Sequence, residues 1–168
     1  MKKTVVFLFV IMLLIICNSQ DNKIIIPKES LRFRIIANSN TEKDQLLKLN
    51  IRSDLLSVIS EISSQSVTID SMRNNIQKNI PLIESIVSKH TDNFNVSFGQ
   101  NYFPSKLYKD VLYKAGEYES LVITLGQGIG KNWWCVLFPP LCLLEAEVNN
   151  LDEVTYDSYL KKIINEYL

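Results

Sequence analysis

Leu121-Val122-Ile123-Thr124-Leu125-Gly126-Gln127-Gly128-Ile129-Gly130-Lys131-Asn132-Trp133-Trp134-Cys135-Val136-Leu137-Phe138-Pro139-Pro140-Leu141-Cys142 is the stretch on which the fold turns. Its first five residues are apolar and β-branched, the composition of a central strand. The glycine-rich run Gly126 to Gly130 then reads as the turn of an antiparallel hairpin leading into a second strand. Side chains alternate along a strand, so Trp133, Cys135 and Leu137 face one way while Trp134, Val136 and Phe138 face the other. Both faces are apolar. Either the strand is covered on both sides, or one tryptophan face is kept for a partner.

Working back towards the N-terminus, Leu31-Arg32-Phe33-Arg34-Ile35-Ile36-Ala37 alternates as a strand, with Leu31, Phe33 and Ile35 inward and Arg32 and Arg34 on the opposite face. Asn38-Ser39-Asn40 breaks it, because these side chains bond to nearby backbone. Thr41 caps a helix that has Asp44 in its first turn. Leu47, Ile51, Leu55, Val58, Ile59 and Ile62 mark its inner face. A second helix starts near Asp70, with Met72, Ile76, Ile80, Ile83 and Val87 inward; Pro81 is expected to kink or split it. Phe94, Val96 and Phe98 alternate as a strand ending at Gly99, and Asp152 and Glu153 open a last helix. The order β-α-α-β-β-β-α predicts an α/β (α+β) single-domain layered sandwich, a small mixed sheet packed with helices.

The N-terminus has the pattern of an export signal. Lys2 and Lys3 precede an uninterrupted apolar run, Val5 to Cys17, shorter than the roughly 20 residues of a spanning helix. Cys17 and Ser19 place small side chains for a cut before Gln20; lipid attachment at Cys17 fits less well, since Ile16 precedes it. Residues 1–19 therefore read as a signal peptide or an N-terminal membrane anchor, and 24–168 as the domain. Lys+Arg and Asp+Glu both number 18 in the whole chain, so loss of Lys2 and Lys3 leaves a mildly acidic product. With no dense basic stripe, nucleic acid is not an expected partner.

Catalytic patterns are thin. His90 is the single histidine, placed at a predicted helix end, and Cys135 and Cys142 sit in apolar surroundings that disfavour a thiolate. Two cysteines without a further Cys or His pair do not make a metal site. They read equally as a disulfide or as two buried thiols, given that Pro139-Pro140 could reverse the chain between them. Gly126 to Lys131 fails as a phosphate loop: Leu125 stands at the first glycine position and Asn132 at the magnesium-binding hydroxyl. Glu117 with Glu119, and Glu145 with Glu147, share strand faces as acid pairs do in glycosidases, but read as solvated edge positions. No catalytic residue, cofactor or metal is expected.

Leu31-Arg32-Phe33-Arg34-Ile35-Ile36-Ala37-Asn38-Ser39-Asn40, with Asp44-Gln45-Leu46-Leu47-Lys48-Leu49 and Arg52, is similar to the opening of the stage II sporulation protein R family. Tyr102-Phe103-Pro104-Ser105-Lys106-Leu107-Tyr108, Ala115-Gly116-Glu117-Tyr118-Glu119, and Gly126 to Cys142 resemble that family's most recognisable block. Asn40, Lys114 and Gln127 depart from the pattern, where an aspartate, a proline and an acid are usual. The resemblance implies an exported sporulation signal. It would be made in the forespore and secreted into the intermembrane space, where it activates the mother cell's membrane-embedded aspartic protease to process the sigma-E precursor. The membrane would be touched only through an uncleaved N-terminal segment.

Such a ligand works by binding the active state of its partner more tightly; a hundredfold shift takes about 2.7 kcal/mol. Aromatic anchors commonly supply it. The expected contact residues are Trp133, Trp134, Phe138, Tyr118, Phe103 and Tyr108, against the plainer reading that they are core. Two other readings remain. One is an extracytoplasmic thiol or cell-wall hydrolase using Cys135, Cys142 or the glutamates; the other is a wall-binding domain whose aromatics stack on sugars.

Overall fold

The computed structural model describes residues 24–25, 29–108 and 111–142. The expected leader over 1–19, the final helix and the Glu145/Glu147 pair lie outside them. Among the described residues seven strands and two helices follow in chain order. They are β1 (Ile24–Ile25), β2 (Leu31–Ile36), α1 (Glu42–Ser64), α2 (Ile69–Ser88), β3 (Phe94–Phe103), β4 (Lys106–Tyr108), β5 (Val111–Tyr113), β6 (Gly116–Leu125) and β7 (Asn132–Phe138). The main sheet is mixed and four-stranded, in the order β3-β6-β2-β7; a small second sheet runs β1-β5-β4. The expected α+β class, helices on a small mixed sheet, is what the chain adopts.

β2 is parallel to β6 and antiparallel to β7. The expected hairpin between β6 and β7 is therefore absent: β2 lies between them. The glycine loop spans the end of the intervening strand and is bonded to it. Gly130 N donates to Ala37 O at 2.9 Å, and Ile129 N to Asn38 O at 3.2 Å. Gln127 N donates to Asn38 Oδ1 and Lys131 N to Asn40 Oδ1. Gly126 and Gly128 have positive φ, the conformation that glycine adopts without a Cβ penalty.

The turn after β2 is equally tied. Thr41 Oγ1 accepts from Asp44 N as the N-cap of α1. Ser39 Oγ and Asn38 Nδ2 donate to the Asp44 carboxylate at 2.6 and 2.9 Å, which lowers its pKa from the usual value. Thr68 and Ser71 form a reciprocal capping box at the start of α2. Contrary to expectation, Pro81 does not divide this helix, which runs unbroken to Ser88. Pro81 and Gln77 are both exposed, so the carbonyl that loses its donor lies on the water side, where solvent replaces the bond.

Both helices pack on one face of the sheet. Leu31, Phe33 and Ile35 of β2 meet Leu121, Ile123 and Leu125 of β6. They join Ile51, Leu55, Ile59 and Ile62 of α1 and Met72, Ile76, Ile83, Ile86 and Val87 of α2 in a single buried cluster. Ile80 contributes less, being half-buried. β3 continues past the expected stop at Gly99, in register with β6 over all ten positions. Open space lies around Gly99, so the missing side chain ends neither the strand nor the ladder.

Candidate functional site

The opposite face of the sheet carries an arginine–aromatic layer. Alternation sends Arg32 and Arg34 there, as expected, and cross-strand register brings Trp134 beside Arg34. Arg32 is fully buried, with its guanidinium carbon 3.3 Å from the Tyr118 ring centroid, 5.2 Å from Phe103 and 5.4 Å from Trp134. The Arg34 guanidinium lies 4.7 Å from Phe103, and its burial lowers the pKa. Phe103 touches both Trp134 (5.4 Å, tilted) and Tyr118 (6.1 Å, edge-on). The Tyr118 hydroxyl donates to Lys114 O at 2.9 Å. An aromatic face is electron-rich, so stacking on a desolvated guanidinium is favourable by about 2 kcal/mol.

This layer gathers three of the expected contact residues, Phe103, Tyr118 and Trp134, but buries two of them. Phe103 is 1% and Tyr118 3% exposed, because both rings pack on the Arg32 guanidinium instead of facing water. Phe138 is also buried and lies elsewhere. The β2–β7 register shifts between Leu31 and Arg32, so Phe138 pairs with Leu31 and joins the helix-side core. That bulge overrides simple alternation. Trp133 stands on the helix face, half-buried, edge-on to Phe33 at 5.5 Å and with the Arg52 guanidinium 4.7 Å from its ring. The two tryptophans thus serve opposite faces. Tyr108 belongs to β4 of the small sheet, a separate sheet from that of the tryptophans.

Cys135 and Cys142 are joined as a disulfide, with Cα atoms 5.4 Å apart, in the helix-side core. Leu141 N donates to Pro139 O across the tight turn between them. His90 Nε2 lies 2.8 Å from Asp54 Oδ2 and ties the end of α2 to α1. With both sulfurs in a covalent bond, neither cysteine offers a thiolate to a histidine. Among the described residues no group of His, Cys, Asp and Glu is suited to hold a metal ion. Nor is any described helix long and apolar enough to cross a membrane.

Beside β7, Lys48 is buried, and its Nζ donates to Gln45 Oε1 at 2.6 Å and to Lys131 O at 3.0 Å. Burial, and then Lys131, lower its pKa. At the far end of the sheet Arg73 reaches from α2 to Glu119, Nε and Nη2 donating at 2.7 Å each, while Nη1 bonds to Asp70. Glu119 holds the guanidinium pKa above its ordinary value, with Asp70 adding to the effect. Glu119 is therefore a paired carboxylate on an inner strand, not one of a solvated edge pair. Sequence reasoning overlooked the arginine layer. Its signal was two arginines alternating with core residues in a strand too apolar to lie at the surface.

The family model for Stage II sporulation protein R matches residues 27–148. The chain belongs to that family. It is 37% identical over 163 residues to Stage II sporulation protein R of Bacillus subtilis (strain 168), covering 86% of this chain and 73% of that protein. No solved structure matches. Stage II sporulation protein R membership gives the chain a role in sporulation, and the matched span takes in the arginine layer, the glycine loop and the disulfide together.

Proposed function

We propose that this chain is an exported sporulation signal that activates the membrane-embedded aspartic protease of the mother cell, which then processes the sigma-E precursor. The match to Stage II sporulation protein R through residues 27–148 carries this reading. The apolar run Val5 to Cys17 supports export from the forespore into the intermembrane space. The Cys135–Cys142 bond agrees with it, because disulfides persist in oxidising compartments. The sequence has no Asp-Thr/Ser-Gly motif, which suits an activating ligand better than a protease. The thiol-hydrolase alternative loses its nucleophile to the disulfide.

For the contact with the protease, Trp133 and Trp134 are the aromatic candidates, since Phe103, Tyr118 and Phe138 are buried. A half-buried tryptophan, anchored on one side by Phe33 or Phe103, is already partly ordered before it meets a partner. Pre-ordering lowers the entropic cost of docking.

The test is reconstitution: this chain, the protease and the sigma-E precursor co-expressed in a non-sporulating host. Processing is expected only when this chain is present with its leader. Equal processing without it would overturn the assignment. The double variant Cys135→Ser with Cys142→Ser separates signal from thiol enzyme in the same assay. Closing so short a loop is worth about 2.5 kcal/mol, so urea unfolding of the oxidised proteins should show a loss near that size. Processing per folded molecule should persist at permissive temperature; its abolition in a folded variant would favour thiol chemistry.

A further inference from the structure

Among the described residues β3 is paired on one side only, with β6. Exposed strand edges usually carry a lysine, a proline or a bulge that discourages pairing. Phe94–Phe103 has no charged residue and no proline, and its ladder with β6 runs without interruption. Phe94, Val96 and Phe98 are half-buried, and Tyr102 is 59% exposed. The edge is long, regular and undefended.

At the Tyr102 end of this edge, a cleft of about 430 Å³ opens between the start of α2 and the strands. It is lined by Glu29, Ser30, Ile69, Arg73, Gln100, Glu117 and Glu119. Arg73 is committed to Glu119 and Asp70. Glu29 and Glu117 are exposed and have no cationic partner among the described residues. In the wall of the cleft Ser30 is 3% exposed, and its Oγ has no hydrogen-bond partner. A buried hydroxyl without a partner is uncommon and costly. It leaves an unpaired polar atom enclosed in the wall beside two unneutralised carboxylates. Glu117 stands directly opposite Tyr102 in the register, so the carboxylate and the exposed ring are neighbours on one face.

We infer that the β3 edge and this cleft together bind an extended polypeptide segment bearing a lysine, added to the sheet as a further strand. The backbone groups of β3 that β6 does not engage supply the ladder, Tyr102 O excepted because it accepts from Arg34 Nη1 at 3.4 Å, as in other strand-addition complexes. The ammonium reaches over β3 to the Glu117 carboxylate on β6, with Glu29 adding negative charge from beyond it, while the Tyr102 ring flanks the cation. An added strand lies about 4.8 Å beyond β3 and so roughly 10 Å from β6. A lysine stem and a glutamate side chain span that distance together. Negative charge in the cleft selects against an acidic segment. The inference does not rest on the protease reading, because it names the chemistry of the segment and not the protein that supplies it.

The probe is a fluorescent decapeptide of alternating lysine and threonine, titrated against the purified full chain by anisotropy. It is expected to bind at least tenfold more tightly than the alternating glutamate–threonine peptide. Glu29→Gln with Glu117→Gln should weaken it at least tenfold. Glu42→Gln with Glu84→Gln, at the start of α1 and late in α2, should change it less than twofold. N-methylating alternate residues of the peptide removes ladder donors and should abolish binding. Failure of the lysine peptide to bind, equal binding of the glutamate peptide, equal weakening by the distant pair, or retained binding after N-methylation would each overturn the inference. So would self-association of the chain through β3 in place of peptide binding.

Discussion

Phe33→Ala should cost about 4 kcal/mol of stability, a large part of what an ordinary domain possesses. Phe33 is fully buried at the middle of β2, paired with Leu121 on one side and Cys135 on the other. Its ring meets Trp133 edge-on at 5.5 Å. Alanine removes the transfer free energy of the ring and leaves a cavity among rigid neighbours that cannot collapse into it, since two strands, a disulfide and α1 fix its walls. The aromatic contact with Trp133 adds about 1 kcal/mol beyond area. Urea unfolding gives the value directly, and Phe33→Leu, which refills most of the space, should lose less than half as much. A loss for alanine below about 1.5 kcal/mol would mean that Phe33 does not lie in a closed core.

The same strand shows what the sequence could and could not disclose. Leu31, Phe33 and Ile35 were legible as an inner face because alternation is a local property, and Thr41 with Asp44 was legible as a helix start for the same reason. The cap lies within four residues of everything it bonds. By contrast, the position of β2 between β6 and β7 is a matter of partners some ninety residues apart in the chain. Adjacent strands joined by a glycine-rich loop most economically read as a hairpin, and nothing local argues otherwise. Pro81 misled because a proline's cost depends on whether the abandoned carbonyl meets water, and exposure is set by tertiary packing.

The aromatic site was legible in part. The residues Phe103, Tyr118 and Trp134 do converge, which their spacing in sequence gives no reason to expect. Their burial could not be foreseen, because it depends on Arg32 packing against all three rings. A guanidinium normally marks a surface; here a delocalised, weakly hydrated cation fills the layer that apolar side chains fill elsewhere. The bulge beside Phe138 in β7 was equally hidden, as one extra residue reverses the face of everything beyond it.

Gly130→Ala tests the strand insertion itself and should cost about 3 kcal/mol, the upper part of the range for an overpacked site. A Cβ at Gly130 would stand 2.3 Å from Ser39 O, 2.7 Å from Ser39 C and 2.9 Å from the Ala37 Cβ. Two of these contacts are backbone, so no rotamer change relieves them. The chain must instead lift the loop off the end of β2, losing the Gly130–Ala37 and Ile129–Asn38 hydrogen bonds. In a simple β6–β7 hairpin the loop would project into water, and the same alanine would matter little. Ile129→Ala provides the comparison: Ile129 is 70% exposed and should change stability by no more than about 0.5 kcal/mol. Hydrogen exchange locates the damage, since in Gly130→Ala protection should fall first at β2 and β7. Stability within about 0.5 kcal/mol of wild type would place β7 beside β6 and not beyond β2.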